Sequence, residues 1–226
     1  MKPMKQTIVI GGGKGGVGKS TVTMAVLDAL RQAGYQPIYV ETDDSNPDVF
    51  KAVRGTVSCE LCSLDDESGY ICLGDLMERN KETPIVVNTP ARATPGLIAH
   101  GGILCDVAKS TGRRMVMVWA LNRQRDGLEL LKQFVDAGQP YEAIYALLNT
   151  YFGSPDKFAR YHASKLKDRL AGALIFPELN DLVTDQLVDQ RLPLWADDAQ
   201  FTIAQRSVLG RFRAAAHEAL KVVYEG

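Results

Sequence analysis

The chain alternates short, nearly continuous apolar runs with longer stretches in which apolar residues recur at helical spacing. The runs are "QTIVI" (6–10), "PIYVET" (37–42), "TPIVVNT" (83–89), "RMVMVWAL" (114–121), "AIYALLNT" (143–150) and "AGALIF" (171–176). Runs of this length, several of them rich in β-branched residues, predict strands buried on both faces, as in parallel sheets. Between the first two, "STVTMAVLDALRQAGY" places Val22, Ala25, Val26, Leu27 and Leu30 at helical spacing and closes on Ala33-Gly34, a C-cap pattern. "GLIAHGGILCDVAKS" and "DGLELLKQFVDAG" read as further helices. The alternation predicts an α/β fold, a doubly wound, mostly parallel sheet with helices on both faces. Ligands of such sheets bind beyond the carboxyl ends of the strands. No repeat, low-complexity tract or linker interrupts the pattern, so residues 1–226 are expected to form a single domain.

The first strand runs straight into "GGGKGGVGKS" (11–20), which contains Gly13-x4-Gly18-Lys19-Ser20. Strand, glycine-rich loop and helix in this order are the context in which such a loop binds phosphate. Gly15, Gly16 and Gly18 let backbone N–H groups turn inward, and the helix start adds the positive end of its dipole. The expected cradle runs from Gly13 through Val17 to Thr21. Within it Lys19 is placed to reach the β- and γ-phosphates, and Ser20 to offer its hydroxyl to Mg²⁺. The second strand ends in "ETDDSNPD", where Glu41, Asp43 and Asp44 suit a metal-bound or attacking water. Taken alone, the same stretch is a solvated acidic turn broken at Asn46-Pro47. The phosphate pattern needs one lysine, and Lys14 is a second.

Composition narrows the picture by exclusion. Lys+Arg 26 against Asp+Glu 27 gives a net charge of −1, so no global basic field favours nucleic acid or anionic membrane. Any such contact must be local. No apolar run approaches the ~18 residues of a transmembrane helix. "MKPMKQTIVIGGG" enters a strand without a signal-peptide cleavage pattern, so a cytoplasmic address is expected. Cys59 and Cys62 in "CELC", with Cys72 and Cys105, admit a four-thiolate metal site of irregular spacing. Alternatively, Cys72 belongs to a partly buried segment, "GYICLGDL", and Cys105 to an apolar helical face, where a free cysteine behaves as a small hydrophobe. "SPDKFARYHASKLKDRL" offers Lys157, Arg160, Lys165, Lys167 and Arg169 as a local DNA-backbone contact, against the plainer reading of an exposed helix. The final "FTIAQRSVLGRFRAAAHEALKVVYEG" reads as a last helix docked on the domain rather than a membrane-surface helix. His100, His162 and His217 are too far apart in sequence to suggest a metal cluster or a triad.

With both lysines in place, "GKGGVGKST" resembles the deviant Walker A box of the ParA/MinD group of P-loop ATPases. "YVETDDSNPD" is similar to that family's acidic switch, with Asp43 at its water-orienting aspartate, and "PIVVNTPA" to its Walker B and second switch segment. "LLNTYF" and "IFPELNDLVTDQLVDQRLPLW" look like its adenine-side strand end and its late Pro-Glu loop with the following helix. The resemblance covers most of the chain. It implies ATP with Mg²⁺, the metal near Ser20 and Asp43, and catalysis through Lys14, Lys19 and Asp43. The adenine end would lie near Asn149 and Pro177, residues that could equally cap an element or shape a turn. In the family the first lysine reaches across a nucleotide-sandwiched dimer, so Lys14 is expected to couple nucleotide state to homodimerisation. Without the resemblance it is a solvated loop residue.

"ETDDSNPDVFK" with "VVNTPAR" looks closest to the StbB-like ATPases of conjugative and mobilisable plasmids. That implies a role in plasmid stability, partition or conjugation beside a small DNA-binding partner protein. The rival is a P-loop metabolic enzyme, which needs a second substrate pocket; "HGG" (100–102) and "WALNRQRDG" are the stretches that could line one. One departure matters. Where the family's Walker B strand ends in aspartate, this chain has Asn88-Thr89-Pro90. Asparagine brings no charge to Mg²⁺ and cannot accept a proton. Charged support is then expected from Asp43, with Glu41 or Asp44 behind it. Nucleotide binding is a firmer expectation than hydrolysis, which would be slow or partner-dependent, or lost altogether in a scaffold.

Overall fold

All six apolar runs fold as strands, and a seventh strand joins them where the sequence gives little sign of one. The computed structural model describes residues 4–43 and 47–225; Asp44, named above as a reserve carboxylate, lies outside the described residues. Strands β1 (Gln6–Gly11), β2 (Ile38–Glu41), β3 (Ser58–Leu61), β4 (Ile85–Asn88), β5 (Arg114–Leu121), β6 (Ala143–Asn149) and β7 (Gly172–Phe176) form one sheet. Their order is β3-β2-β4-β1-β5-β6-β7, and every described pairing is parallel.

Strand periodicity divides the core between two faces. Ile8 and Ile10 of β1 point to one, where α1 (Lys19–Gln32), α2 (Asp48–Val53), α7 (Asp181–Asp189) and α8 (Ile203–Glu225) pack. Val9 points to the other, covered by α3 (Glu67–Arg79), α4 (Thr94–Thr111), α5 (Arg125–Asp136) and α6 (Ala159–Ala163). The doubly wound architecture is as the alternation implies. Helix α1 ends as its sequence indicates: Gly34 takes a left-handed φ of 85°, and Tyr35 N–H donates to the Leu30 carbonyl at 2.9 Å.

Helix α8 docks on the sheet through a buried stripe of Leu209, Phe212, Ala216, Leu220 and Val223. Each fully buried large side chain of this kind contributes roughly 1.5–3 kcal/mol, enough to hold the helix to the domain. A polar clamp reinforces it: Asp28 of α1, 1% exposed, accepts from Arg213 Nε and Nη2 at 2.7 and 2.8 Å and pairs with His217 Nε2 at 2.9 Å. Among the described residues no helix is long and apolar enough to cross a membrane.

Two local readings change, and the partly buried "GYICLGDL" gains a secondary structure. "CELC" is the edge strand β3 and its exit, with Cys59 packed toward the α1 face and Cys62 toward the α3 face. An odd spacing along a strand forces that opposition, so the two thiols cannot share a ligand. "GYICLGDL" is the body of helix α3, with Tyr70 and Leu73 buried and Cys72 exposed. The basic stretch 154–170 is not one exposed helix but α6 between 3₁₀ turns at Pro155–Lys157 and Lys165–Arg169. Arg169 pairs with Asp136 at 2.5 Å, and Arg160 donates to the Arg123 carbonyl at 3.1 Å.

Candidate nucleotide site

The loop after β1 is shaped by glycine where no other residue fits. Gly18 sits at φ 94°, and a Cβ there would fall 2.4 Å from Asn149 Nδ2. Gly13, at φ 55°, leans on α5 so closely that a Cβ would meet Leu130 Cδ1 at 2.6 Å. The loop is thus clasped between α5 and the end of β6, where Asn149 Nδ2 donates to the Val17 carbonyl at 3.0 Å. Val17 itself is buried in the core.

A cavity of about 440 Å³ opens over this loop at the carboxyl ends of the strands, within the range of small-ligand sites. Gly15, Gly16, Gly18, Lys19, Ser20 and Thr21 form one wall, Asp43, Asn88 and Thr89 a second, and Asn149 with Pro177 a third. The structure therefore brings together nearly every residue singled out from the sequence. Gly13 and Lys14 stand off it, on the side of α5.

The two lysines point in different directions. Lys19 Nζ donates to the Lys14 carbonyl at 2.8 Å beside the cavity. Burial lowers its pKa, while Asp43 and then Glu41 push it back up. The Lys14 side chain instead forms a short ion pair with Asp126 in the first turn of α5. That contact, on an exposed carboxylate, holds Asp126 below the usual carboxylate range.

Behind the cavity wall lies a network that motif reading missed. Glu41 and Asn88 are register partners on β2 and β4. Asn88 Nδ2 donates to Glu41 Oε1 at 3.1 Å, and Asn88 Oδ1 accepts from Thr23 Oγ1 of α1 at 3.2 Å. Glu41 Oε1 also accepts the Thr42 and Asp43 amides at 3.1 and 3.2 Å, while Oε2 takes a short bond from the Tyr39 hydroxyl. Burial raises the Glu41 pKa, and the bonds from Tyr39, Asp43, Asn88 and Thr42 offset part of that rise. Burial also drives the Tyr39 phenol upward, with Glu41 adding to it. Glu41 is 1% exposed and stands behind Asn88 rather than on the cavity wall. Two sequence signals could have found this network: Tyr39 and Glu41 share a strand face, and Thr23 follows Ser20 by one helical turn.

The family follows from a match that begins in β1 and runs through the loop, the acidic turn and Asn149. Residues 8–155 fit the model of the CobQ/CobB/MinD/ParA nucleotide binding domain. The chain belongs to this family. Protein MobD of Acidithiobacillus ferrooxidans is 37% identical over 226 residues, covering 98% of this chain and 99% of its own. Among solved structures, MinD of Pyrococcus horikoshii with Mg-ADP superposes with a TM-score of 0.59 at 16% identity, over 97% of this chain and 98% of that one. A MinC:MinD complex from Aquifex aeolicus gives 0.58 at 17%, over 98% and 96%.

As a member of this family the chain carries a cradle suited to a nucleotide. The glycine turn leaves open the space a side chain would fill, one lysine faces the cavity, and a helix begins at it. Among the described residues no group of three or more His, Cys, Asp or Glu could hold a metal ion. Ser20 and Asp43 on the cavity wall are oxygen donors of the kind that suits Mg²⁺, which keeps waters and phosphate oxygens as its other ligands. Asn149 has a structural duty as well as a place on the wall: its Oδ1 accepts from Tyr151 N–H at 3.1 Å. The "WALNRQRDG" stretch borders a separate open depression of about 580 Å³, from Asn122 to Asp126 with Phe152, Lys157 and Arg160.

Proposed function

We propose that the protein is an ATP-binding, slowly hydrolysing dimerisation switch of the ParA/MinD type. Its proposed setting is plasmid stability, partition or conjugative transfer beside a small DNA-binding partner protein. The observation that carries the switch reading is the division between the lysines: Lys19 attends the cavity, while Lys14 leaves it for a surface carboxylate. A lysine held by an exposed pair is cheap to release, since such pairs contribute little. Its charge is then available to a second subunit's triphosphate, which would otherwise repel its counterpart across a dimer interface.

Within one subunit the residues have separate tasks. The loop amides from Gly15 to Ser20 and the start of α1 bind the phosphate chain. Lys19 neutralises its outer end. Bound Mg²⁺ supplies charge neutralisation on the phosphates, with the Ser20 hydroxyl and Asp43 as the side chains to hold it. Asp43 orients water, and Pro177 with the Tyr151–Phe152 pair offers an apolar edge for the base. A scaffold without turnover is the second reading, favoured by Asn88, whose amide is engaged by Thr23 and Glu41 and carries no charge.

Size-exclusion chromatography with light scattering tests the switch. The parent should be monomeric without nucleotide and dimeric with ATP and Mg²⁺. Lys14→Ala should bind ATP and remain monomeric, and Asp126→Ala should dimerise at lower ATP. A Lys14→Ala protein that dimerises like its parent removes the cross-subunit role. Absence of phosphate release from the parent, with and without its partner, leaves an ATP-binding protein that resets by exchange.

A further inference from the structure

The strongest unassigned feature lies at the edge of the sheet, away from the nucleotide cavity. Cys62 Sγ, on the residue after β3, is 2.7 Å from Cys72 Sγ in helix α3. Backbone packing, rather than a chance rotamer, sets this approach. At Gly69, one turn before Cys72, a Cβ would lie 1.5 Å from the Ser63 carbonyl oxygen, so the helix is pressed against the residue following Cys62. Tyr70 and Leu73, on either side of the pair Ile71-Cys72, are fully buried and fix the rotation of α3. The other end is anchored too: Cys62 N–H donates to the Glu41 carbonyl at 3.1 Å.

The two thiols differ in a way that suits stepwise oxidation. Cys72 is exposed and Cys62 is buried. Burial, and then the neighbouring Cys72, push the Cys62 thiol up to about 12, so it is a poor first target. We propose that Cys62 and Cys72 form a reversible oxidation site, in which a hydroperoxide oxidises Cys72 and Cys62 resolves it to an intrachain disulfide tying α3 to the exit of β3. In the first step the Cys72 sulfur, as thiolate, attacks the hydroperoxide. The O–O bond breaks, an alcohol leaves with the proton, and Cys72 becomes a sulfenic acid. In the second, the Cys62 sulfur attacks the Cys72 sulfur, the S–O bond breaks, and hydroxide leaves as water with the Cys62 proton. Two thiols lose two electrons and two protons, and the hydroperoxide is reduced to alcohol and water.

The site is independent of the nucleotide-binding reading. It also discriminates the folded chain from the unfolded one, because the nearest cysteines in sequence are Cys59 and Cys62, which the sheet places on opposite faces. The test treats the reduced full-length protein with hydrogen peroxide and maps peptides without reduction. The expected product is a Cys62–Cys72 link within one chain, reversed by dithiothreitol, and replaced in urea by mixed pairings that include Cys59–Cys62. In Cys62→Ser the Cys72 sulfenic acid should persist and be trapped by dimedone; in Cys72→Ser, Cys62 should stay reduced. A dominant link through Cys59 or Cys105, a mainly intermolecular product, or Cys72 passing to sulfinic acid with Cys62 intact would overturn the assignment. The parent's peptide map decides this even where a serine variant fails to fold.

Discussion

Replacing Asn88 with aspartate, the residue that the family resemblance leads one to expect, should weaken this protein rather than restore it. In the parent, Asn88 Nδ2 faces Glu41 Oε1 at 3.1 Å. The Asn88→Asp change would set one carboxylate against another there. At an effective dielectric near 20, two unit charges at that separation repel by about 5 kcal/mol. The protein has a cheaper alternative, because keeping one carboxyl protonated at pH 7, about three pH units above its ordinary pKa, costs about 4 kcal/mol. The smaller figure sets the effect: a loss of about 4 kcal/mol at pH 7, with one proton retained by the pair.

The sign with pH follows. A carboxyl whose folded pKa is raised above its unfolded value binds protons more tightly in the folded state, so stability falls as pH rises through that interval. The deficit of Asn88→Asp should therefore shrink to about 1 kcal/mol at pH 5 and be fully developed above neutrality. Urea unfolding without nucleotide or Mg²⁺, at pH 5 and pH 7.5, measures it. Adding Glu41→Gln removes the opposing charge but not the lost N–H donor, so it should recover at least half of the deficit. An Asn88→Asp chain as stable as its parent at pH 7.5, a deficit independent of pH, or additivity with Glu41→Gln would refute the reasoning.

Lys19→Ala deletes a charge-assisted contact of about 1.5–3 kcal/mol, so calorimetric ATP affinity should fall roughly 10- to 150-fold; unchanged binding would sink the phosphate-loop role. Asp28→Ala removes the buried acceptor of three bonds joining α1 to α8 and should lower stability by about 2–4 kcal/mol, read as a lower urea midpoint at unchanged slope. A loss below about 1 kcal/mol would mean the clamp is no stronger than a surface pair.

The loop and its flanks were legible in the sequence because their chemistry is local: strand, glycines, lysine and helix follow one another within a few turns. The central strands were legible for a different reason, that burial on both faces demands continuous apolar runs. Strand β3 escaped because an edge strand with three of its four residues exposed carries no such run. Helix α3 was missed because two glycines and a cysteine dilute its apolar stripe, although Gly69 and Gly74 are buried contact points in the structure. The ion pair of Lys14 with Asp126 and the bond of Asn88 to Glu41 join residues 112 and 47 positions apart. Only the sheet order brings them together.

That order also bears on which carboxylates could support the Mg²⁺ of the proposed function. Once Asn88 lacks a carboxylate, the sequence offers Asp43, Glu41 and Asp44 in its place. A carboxylate has about four acceptor sites, and those of Glu41 meet four donors: the Tyr39 hydroxyl, the Thr42 and Asp43 amides, and the Asn88 amide. Three of these donors fall on Oε1 and one on Oε2, so the carboxylate is largely engaged, and Glu41 stays off the cavity wall that Asn88 lines. Glu41 nonetheless acts on the site, because the bond from the Asp43 amide fixes the backbone that carries Asp43 to the cavity wall. Glu41 lies one strand over from Asn88 in a buried, hydrogen-bonded position, where it holds the Thr42 and Asp43 amides at the exit of β2. Asparagine at position 88 is then a hydrogen-bonding complement to the buried Glu41, and Asp43, on the cavity wall beside the phosphate loop, is the carboxylate to which the proposed function assigns the metal.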